Sequence, residues 1–247
     1  MKMLFSTIII ASAISGTINK VSSMDADDQF RKMFSGDIKH LQMHIDSGNI
    51  NVLSGSVDVA RVDATPSTPD CITRMELVDD TLQIENIKAK GGCHCDYNVI
   101  VPRHTTVSIH TGSSDVDVSG LESKLSAHIG SGSLRAMGMG NVKIDGGNID
   151  SSITDVDGDI SVKTGSGSLR IGFGSIPDRA RNILYESGSG KLEVSLPQNS
   201  IVKSTPSSSS FPYLSRFDSD FLLVDSGYNF CVQWSFGSGS VALKKNQ

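Results

Sequence analysis

The chain has few aromatic residues and no excess of positive charge. Its 247 residues include one Trp and four Tyr, which leaves few rings on which bases or sugars could stack. There are 22 Lys and Arg against 27 Asp and Glu, giving a formal net charge of −5. Nucleic-acid binding needs a basic face that neutralises phosphates, so this composition argues against a nucleic-acid partner.

Long apolar runs and enzyme fingerprints are also missing. The apolar run from Leu4 to Ile14 is too short to span a bilayer as a helix. The sequence has no phosphate-binding loop, no dinucleotide-binding glycine fingerprint and no nucleophile motif in a Ser-His-Asp context. No long amphipathic helical pattern competes with the strand patterns described below. We therefore expect an all-β protein that is not an enzyme and needs no cofactor.

Glycine, by contrast, is abundant and recurs in one phrase. Gly accounts for 24 of the 247 residues. The phrase is clearest at 164–171, where Gly-Ser-Gly precedes alternating apolar and polar residues, and similar copies occupy 129–136, 187–194 and 236–243. Glycine permits a sharp bend, and the alternation is typical of a half-buried strand.

Units of this length cannot bury an apolar face alone, so we expect them to stack on one another. The repeat predicts a β-solenoid with Gly-Ser-Gly corners, one strand on each side of the coil, and a core that includes Leu134, Ile160, Leu169 and Leu192. An antiparallel β-sandwich is the alternative, since it also has short strands and frequent turns.

The chain divides into three parts in this interpretation. Residues 1–23 resemble a secretory signal peptide, with Lys2 before the apolar run and small residues after it, although an uncleaved anchor is the alternative. Residues 24–37 form a polar lead-in. Residues 38–247 form the β-domain, with a Ser/Pro-rich insertion near 204–236.

Several local features are predicted within the β-domain. Asp79 and Asp80 are the expected turn of a hairpin, and Pro102 is expected to end a strand or lie at a sheet edge. The segment from Phe217 to Phe236 is the most aromatic of the chain. We expect it to cap the last coil, because an open solenoid end exposes core residues and unpaired strand edges.

The order of these motifs resembles a known family. The segments 44–52, 97–102 and 106–112, followed by the Gly-Ser-Gly array, are similar to the bacterial putative-adhesin β-solenoid domain of secreted and envelope proteins. The resemblance spans about 38–245. It implies a right-handed single-strand β-solenoid, located in the periplasm or at the cell surface, and it implies no catalytic residues.

Four cysteines in an exported chain suggest two disulfides with three possible pairings. They are Cys71, Cys93, Cys95 and Cys231. Cys93 and Cys95 share a strand face, so we favour Cys71 with one of them and Cys231 with the other. A zinc site that includes His94 is the alternative, but His94 points away from both thiols.

Two further groups of residues are considered as metal sites. Asp155, Asp157 and Asp159 place carboxylates at alternate positions around a Gly, which is a weak calcium candidate without a downstream bidentate Glu. His40 and His44 would form a zinc pair on a helix, but on a strand they lie about 13 Å apart. We expect both to be surface histidines.

Outward-facing charges give little support to an enzyme. Pectin-cleaving β-helices need clustered carboxylates, and four acids could be nominated: Asp115, Asp117, Asp145 and Asp150. The outward positions that follow each corner have mixed signs, so stacked neighbours can pair with one another. In chain order they are Asp117, Arg135, Asp150, Ser161, Arg170 and Glu193.

These observations favour an exported, adhesin-like interaction module that presents coil faces to a protein or glycan partner at the cell envelope. A structural scaffold without a ligand of its own is one alternative. A polysaccharide-active parallel β-helix enzyme is another.

Overall fold

The structure is a computed structural model, and it describes residues 31–55, 59–68, 71–87, 92–206, 214–217 and 222–246. Within these residues the protein is all-β, with fifteen strands in one sheet and no helix. No helix in the described part of the chain could therefore cross a membrane. The expected signal peptide at 1–23 lies outside the described residues.

The strands vary in length from short edge pieces to segments of 16 residues. In chain order they are β1 (Arg31–Ser35), β2 (His40–Gly55), β3 (Val59–Pro66), β4 (Ile72–Val78), β5 (Thr81–Ile87), β6 (Cys95–Pro102), β7 (Thr106–Ser119), β8 (Leu125–Met137), β9 (Val142–Thr154), β10 (Ile160–Gly172), β11 (Arg181–Leu196), β12 (Ile201–Pro206), β13 (Leu214–Phe217), β14 (Leu222–Leu223) and β15 (Phe230–Lys245).

Seven long strands form a parallel series in the order β2-β7-β8-β9-β10-β11-β15. Their registers align equivalent apolar residues: Val107 lies beside Leu125, Leu125 beside Val142, Val142 beside Ile160, and Ile160 beside Ile183. Every pair in this series is parallel. The antiparallel sandwich that the sequence left open is therefore excluded.

The core follows from the alternation of apolar and polar residues along each strand. Leu134, Ile160, Leu169 and Leu192 are all buried, as predicted. The alternation changes phase within each glycine segment. In β10 the buried residues before the segment have even numbers, up to Thr164, and those after it have odd numbers.

Glycine is required where neighbouring strands approach one another within these segments. Gly132 and Gly167 have φ values of +130° and +123°, which residues that carry a side chain rarely adopt. A Cβ at Gly132 would lie 2.0 Å from the carbonyl oxygen of Ser114, and one at Gly167 would lie 2.0 Å from that of Ile149. No side chain fits at either position.

The N-terminal end of the sheet departs from the parallel pattern. β1 pairs antiparallel with β3, β3 pairs antiparallel with β6, and β4 forms a hairpin with β5. The hairpin turn lies at Asp79 and Asp80, and β6 ends at Pro102; both predictions are confirmed. The first strand begins at Arg31, however, within the segment that the sequence suggested was a lead-in.

One disulfide, between Cys71 and Cys93, joins the start of β4 to the residues before β6. The second expected bridge, from Cys95 to Cys231, is absent, because both thiols are free and buried. Seven strand-to-strand steps separate β6 from β15, which at about 4.8 Å each is more than 30 Å. A disulfide requires Cα atoms less than about 7 Å apart.

Two short strands cover β15 at the other end of the sheet. β12 pairs with the first half of β15, and β13 pairs with its second half. Three aromatic residues of β15 are buried: Phe230, Trp234 and Phe236. Residues 207–213 and 218–221 of the expected insertion lie outside the described part of the chain.

Candidate functional site

A shallow groove, lined by polar residues and by the apolar residues Ile50, Val116 and Leu134, crosses five parallel strands just after their glycine segments. Its volume is about 330 Å³. The strands that form it are β2, β7, β8, β9 and β10, and the polar residues that line it are Asn49, Asn51, Asp115, Asp117, Ser133, Arg135, Asp150, Ser151, Ser152 and Arg170. Three carboxylates and two guanidinium groups thus share one surface, and none of the lining residues is aromatic.

Two of the carboxylates hold neighbouring strands together. Ser133 donates from its backbone N and its Oγ to Asp115 Oδ1, at 3.0 and 2.7 Å. Ser168 does the same to Asp150 Oδ1, at 2.8 and 2.6 Å. Each serine directly follows a glycine of positive φ, where the carboxylate of the adjacent strand accepts the serine N–H. One oxygen of each carboxylate therefore already accepts hydrogen bonds from within the protein.

These contacts also set the charge state of Asp150. The hydrogen bonds from the Ser168 hydroxyl and backbone N–H, with a smaller contribution from the Arg170 charge, hold the pKa of Asp150 below its usual range. Asp150 is therefore ionised at neutral pH and is a poor proton donor.

A second register row, two residues further along each strand than Asp115 and Asp150, carries charges of both signs. The registers align Asn51, Asp117, Arg135, Ser152, Arg170 and Glu193 across the sheet. Arg135 Nη1 lies 3.6 Å from Asp117 Oδ2. The sequence placed Asp150 and Ser161 in this row, which is wrong: Ser152 occupies that place, Asp150 lies in the adjacent row, and Ser161 precedes the glycine segment.

The four acids nominated for polysaccharide cleavage do not form one site. Asp115, Asp117 and Asp150 line the groove, whereas Asp145 lies beside His128 and Lys163, before the glycine segment. General acid–base chemistry needs one carboxyl with a raised pKa, whereas the hydrogen bonds from Ser168 hold the pKa of Asp150 below its usual range. The arrangement suits hydrogen bonding better than proton transfer.

The calcium candidates connect strands and loops instead of converging. Gly174 N donates to Asp155 Oδ1 at 3.1 Å, and Asn182 N donates to Asp159 Oδ1 at 2.9 Å. Arg181 Nη2 lies 4.0 Å from Asp157 Oδ1, so a guanidinium already provides positive charge there. In the described part of the chain, no three metal-ligating side chains converge on one point.

The alternative zinc site has also lost a ligand, since the Cys93 sulfur is in the disulfide. His94 is exposed and instead lies between Ser47 and Asp96. Its Nδ1 is 3.4 Å from Ser47 Oγ and its Nε2 is 3.7 Å from Asp96 Oδ1. Asn49 N donates to that same Asp96 oxygen at 2.7 Å. The two distances from the His94 ring are long for hydrogen bonds, so Ser47, His94 and Asp96 do not form a tight catalytic triad.

Sequence reasoning missed Ser133, Ser168 and the precise partners of each groove residue. The signal was present, because both serines occupy the same place after the second glycine of the repeated phrase. Aligning the copies on the glycine at the first position of the Gly-Ser-Gly phrase, which is Gly112, Gly130 or Gly147, would have placed Asp115 and Asp150 in one row.

No protein-family model matches the chain, and no curated protein matches it in sequence. Solved structures do match. One, described as a putative cell adhesion protein from Clostridium sporogenes, has 12% identity and a TM-score of 0.39, with 87% of this chain and 99% of the other covered. Others are described as putative adhesins, one from Bacteroides fragilis (11% identity, TM-score 0.29, 87% and 96% covered) and one from Parabacteroides distasonis (14%, 0.32, 87% and 96%). The resemblance stated from the sequence is thus also found among structural neighbours, at low identity.

Proposed function

We propose that this protein is an exported, non-enzymatic interaction module of the adhesin-like type, and that the polar groove holds a protein or glycan partner. The observation that carries this proposal is the groove itself, which presents carboxylates and guanidinium groups side by side across five strands. Such a surface can donate and accept several hydrogen bonds from one ligand.

The groove depends on the coiled path of the chain, which we infer from the lengths of strands and connections. β8 spans 13 residues, so a straight strand would be about 40 Å from end to end. Residues 138–141 can span no more than about 18 Å, yet they return the chain to Val142, which pairs with Leu125 at the start of β8. The strand must therefore bend back on itself.

We place the bends at the glycine segments. The burial phase changes there, which is expected if the inward face changes from one side of the strand to the other. We infer a single-strand solenoid with Gly-Ser-Gly corners. Its proposed hand is right-handed, as for nearly all connections between parallel strands. The groove then lies beside a corner that repeats from coil to coil.

The chemistry of the groove favours polar ligands. Arg135 and Arg170 can bind carboxylates or other anionic groups, and the free oxygens of Asp115 and Asp150 can accept bonds from hydroxyls or amides. Because no aromatic ring lines the groove, a sugar would be bound through hydrogen bonds and not through stacking.

The disulfide supports an oxidising location. Disulfides persist in secreted and periplasmic proteins and are rare in the cytosol, so Cys71–Cys93 agrees with export to the envelope. Protease treatment of intact cells tests the side of the membrane: cleavage of the protein in intact cells places it at the surface, whereas protection until the outer layer is opened places it in the periplasm. Retention in the cytosol would contradict export.

A binding experiment tests the groove. The purified protein is applied to a glycan array and used in a pull-down from envelope extracts, together with Arg135→Gln, Arg170→Gln and the control Lys143→Gln. Lys143 is an exposed cation of β9 before the glycine segment, outside the groove. We expect the two arginine variants to lose the ligand and the control to keep it. Equal binding by all three variants, or no ligand in either assay, would contradict the proposal.

A further inference from the structure

Three histidines from three parallel strands lie side by side on the sheet surface, before the glycine segments and away from the groove. They are His44 of β2, His110 of β7 and His128 of β8, and they share one register row. The rings of His110 and His128 are stacked, with centroids 4.7 Å apart and planes 10° apart. The ring of His44 lies 5.8 Å from that of His110.

The ring nitrogens of this histidine row are not used by the fold. All three side chains are exposed, and no group of the described residues hydrogen-bonds to their nitrogens. A buried histidine normally has its tautomer fixed by a protein partner, whereas these rings can present a lone pair outward.

Acidic residues lie at both ends of the histidine row. Glu85 of β5 is in register with His44, and Asp145 of β9 is in register with His128. Arg74 Nη2 donates to Glu85 at 2.8 Å, so that carboxylate is engaged. Asp145 has no such partner in the described part of the chain, and beyond it the next residue of the row is Lys163.

We propose that His110 and His128, with His44 or Asp145 as the next ligand, bind a divalent transition-metal ion such as Zn²⁺, Ni²⁺ or Cu²⁺. Imidazole suits these ions, and a carboxylate can complete the set. This site goes beyond the proposed function and lies on a different surface from the groove.

These side chains do not converge on one point in the described part of the chain, so binding requires them to rotate toward one another. Nitrogens bound to one tetrahedral zinc ion lie about 3.3 Å apart, given Zn–N distances of about 2.0–2.1 Å. The stacked rings are 4.7 Å apart at their centroids, so tilting them toward each other brings two nitrogens to that separation. Exposed side chains make such rotations readily.

Calorimetric titration of the full exported chain with zinc chloride at pH 7.5 tests the site. We expect Zn²⁺ to bind the wild-type protein and His110→Ala to weaken binding by at least about tenfold, since loss of even an indirect metal partner costs 10–100-fold. The matched control is His40→Ala. His40 is an exposed histidine of the same strand as His44, but its register neighbours are Thr81 and Thr106.

Two further measurements separate ligand loss from misfolding and identify the type of ligand atom. Thermal unfolding in EDTA should give the same midpoint for His110→Ala and wild type. The copper(II) form of the wild type should show two or more coordinated nitrogens in its electron paramagnetic resonance spectrum. The proposal is overturned if the wild type binds no zinc, if His40→Ala weakens binding as much as His110→Ala, or if copper is bound through oxygen alone.

Discussion

The middle of the sheet and its two ends are stabilised in different ways. In the middle, β7, β8, β9 and β10 are of nearly equal length, and each pairs with its neighbours along almost its whole extent. At the ends, the last long strands are each covered by two short ones: β5 and β6 lie on β2, and β12 and β13 lie on β15.

The difference shows that a repeated strand is stabilised by its copies only where it has one on each side. A strand in the middle has a copy of itself on each side, so the same glycine contacts and the same Asp–Ser bonds recur. A strand at the end has no copy beyond it and needs another cover for its edge and core. The short strands β5 and β6 at one end and β12 and β13 at the other provide that cover.

The largest expected effect concerns the glycines of the middle. Gly167→Ala would place a Cβ 2.0 Å from the Ile149 carbonyl oxygen at a φ of +123°. Backbone strain and overpacking together should cost about 4 kcal/mol. The thermal midpoint should fall by roughly 8–16 °C. The control, Gly172→Ala, meets only the Thr154 Cγ2 at 3.5 Å and should change the midpoint little. Similar losses in both variants would argue against close strand approach at Gly167.

Removing the disulfide should weaken the N-terminal end and leave the middle intact. Cys71 and Cys93 are separated by 22 positions in sequence, and a loop of about this size contributes about 3 kcal/mol. Hydrogen exchange of the Cys71→Ser/Cys93→Ser variant should show lost protection in β4–β6 and unchanged protection in β8–β10. Uniform loss of protection would mean that the two regions unfold as one unit.

A smaller effect is expected at the Asp150–Ser168 contact. Asp150→Ala removes the acceptor of two hydrogen bonds and should cost about 1 kcal/mol, measured by urea unfolding. Asp145→Ala is the control, because Asp145 does not bridge two strands. A loss no greater than that of the control would show that the contact does not stabilise the pairing of β9 with β10.

The lowered pKa of Asp150 gives the contact a pH signature. A carboxyl whose pKa is lower in the folded protein contributes stability above its unfolded pKa, about 3.9, and that contribution is lost as the pH falls through the folded value. Asp150→Asn should therefore lose less stability than the wild type below about pH 4. Identical acid unfolding curves would contradict the assignment.

The smallest expected effect concerns the chemical reactivity of the two free thiols. Cys95 and Cys231 are free and buried, and burial raises the pKa of the Cys95 thiol. The native protein should react slowly with a thiol reagent, and the unfolded protein should show two thiols. A count of zero after unfolding would mean that a second disulfide forms.

The middle of the molecule was predictable from sequence because its signal is local and repeated. Alternation around Leu134 and Leu169 identified the core, and the recurring glycines located the segments where the burial phase changes. The turn at Asp79 and Asp80 was also predictable, since a tight hairpin leaves its pattern within a few residues.

The ends and the rows across the sheet were less predictable, because they depend on contacts between distant residues. Nothing near Arg31 in sequence indicates that β1 will pair with β3. The distance between Cys95 and Cys231 depends on how many strands intervene. The histidine row required an alignment of the copies in which His44, His110 and His128 each stand four residues before the same position of the glycine segment.

Methyl-to-methyl nuclear Overhauser contacts test the parallel stacking most directly. The account predicts contacts between Ala127 and Ile144, between Ile144 and Val162, and between Ala136 and Ile153, because each pair is in register on adjacent strands. If β8 and β9 instead formed a hairpin around residues 138–141, Leu125 would pair with Thr154, and Ala127 would lie far from Ile144. A spectrum with a Leu125–Thr154 methyl contact and without Ala127–Ile144 would contradict the account.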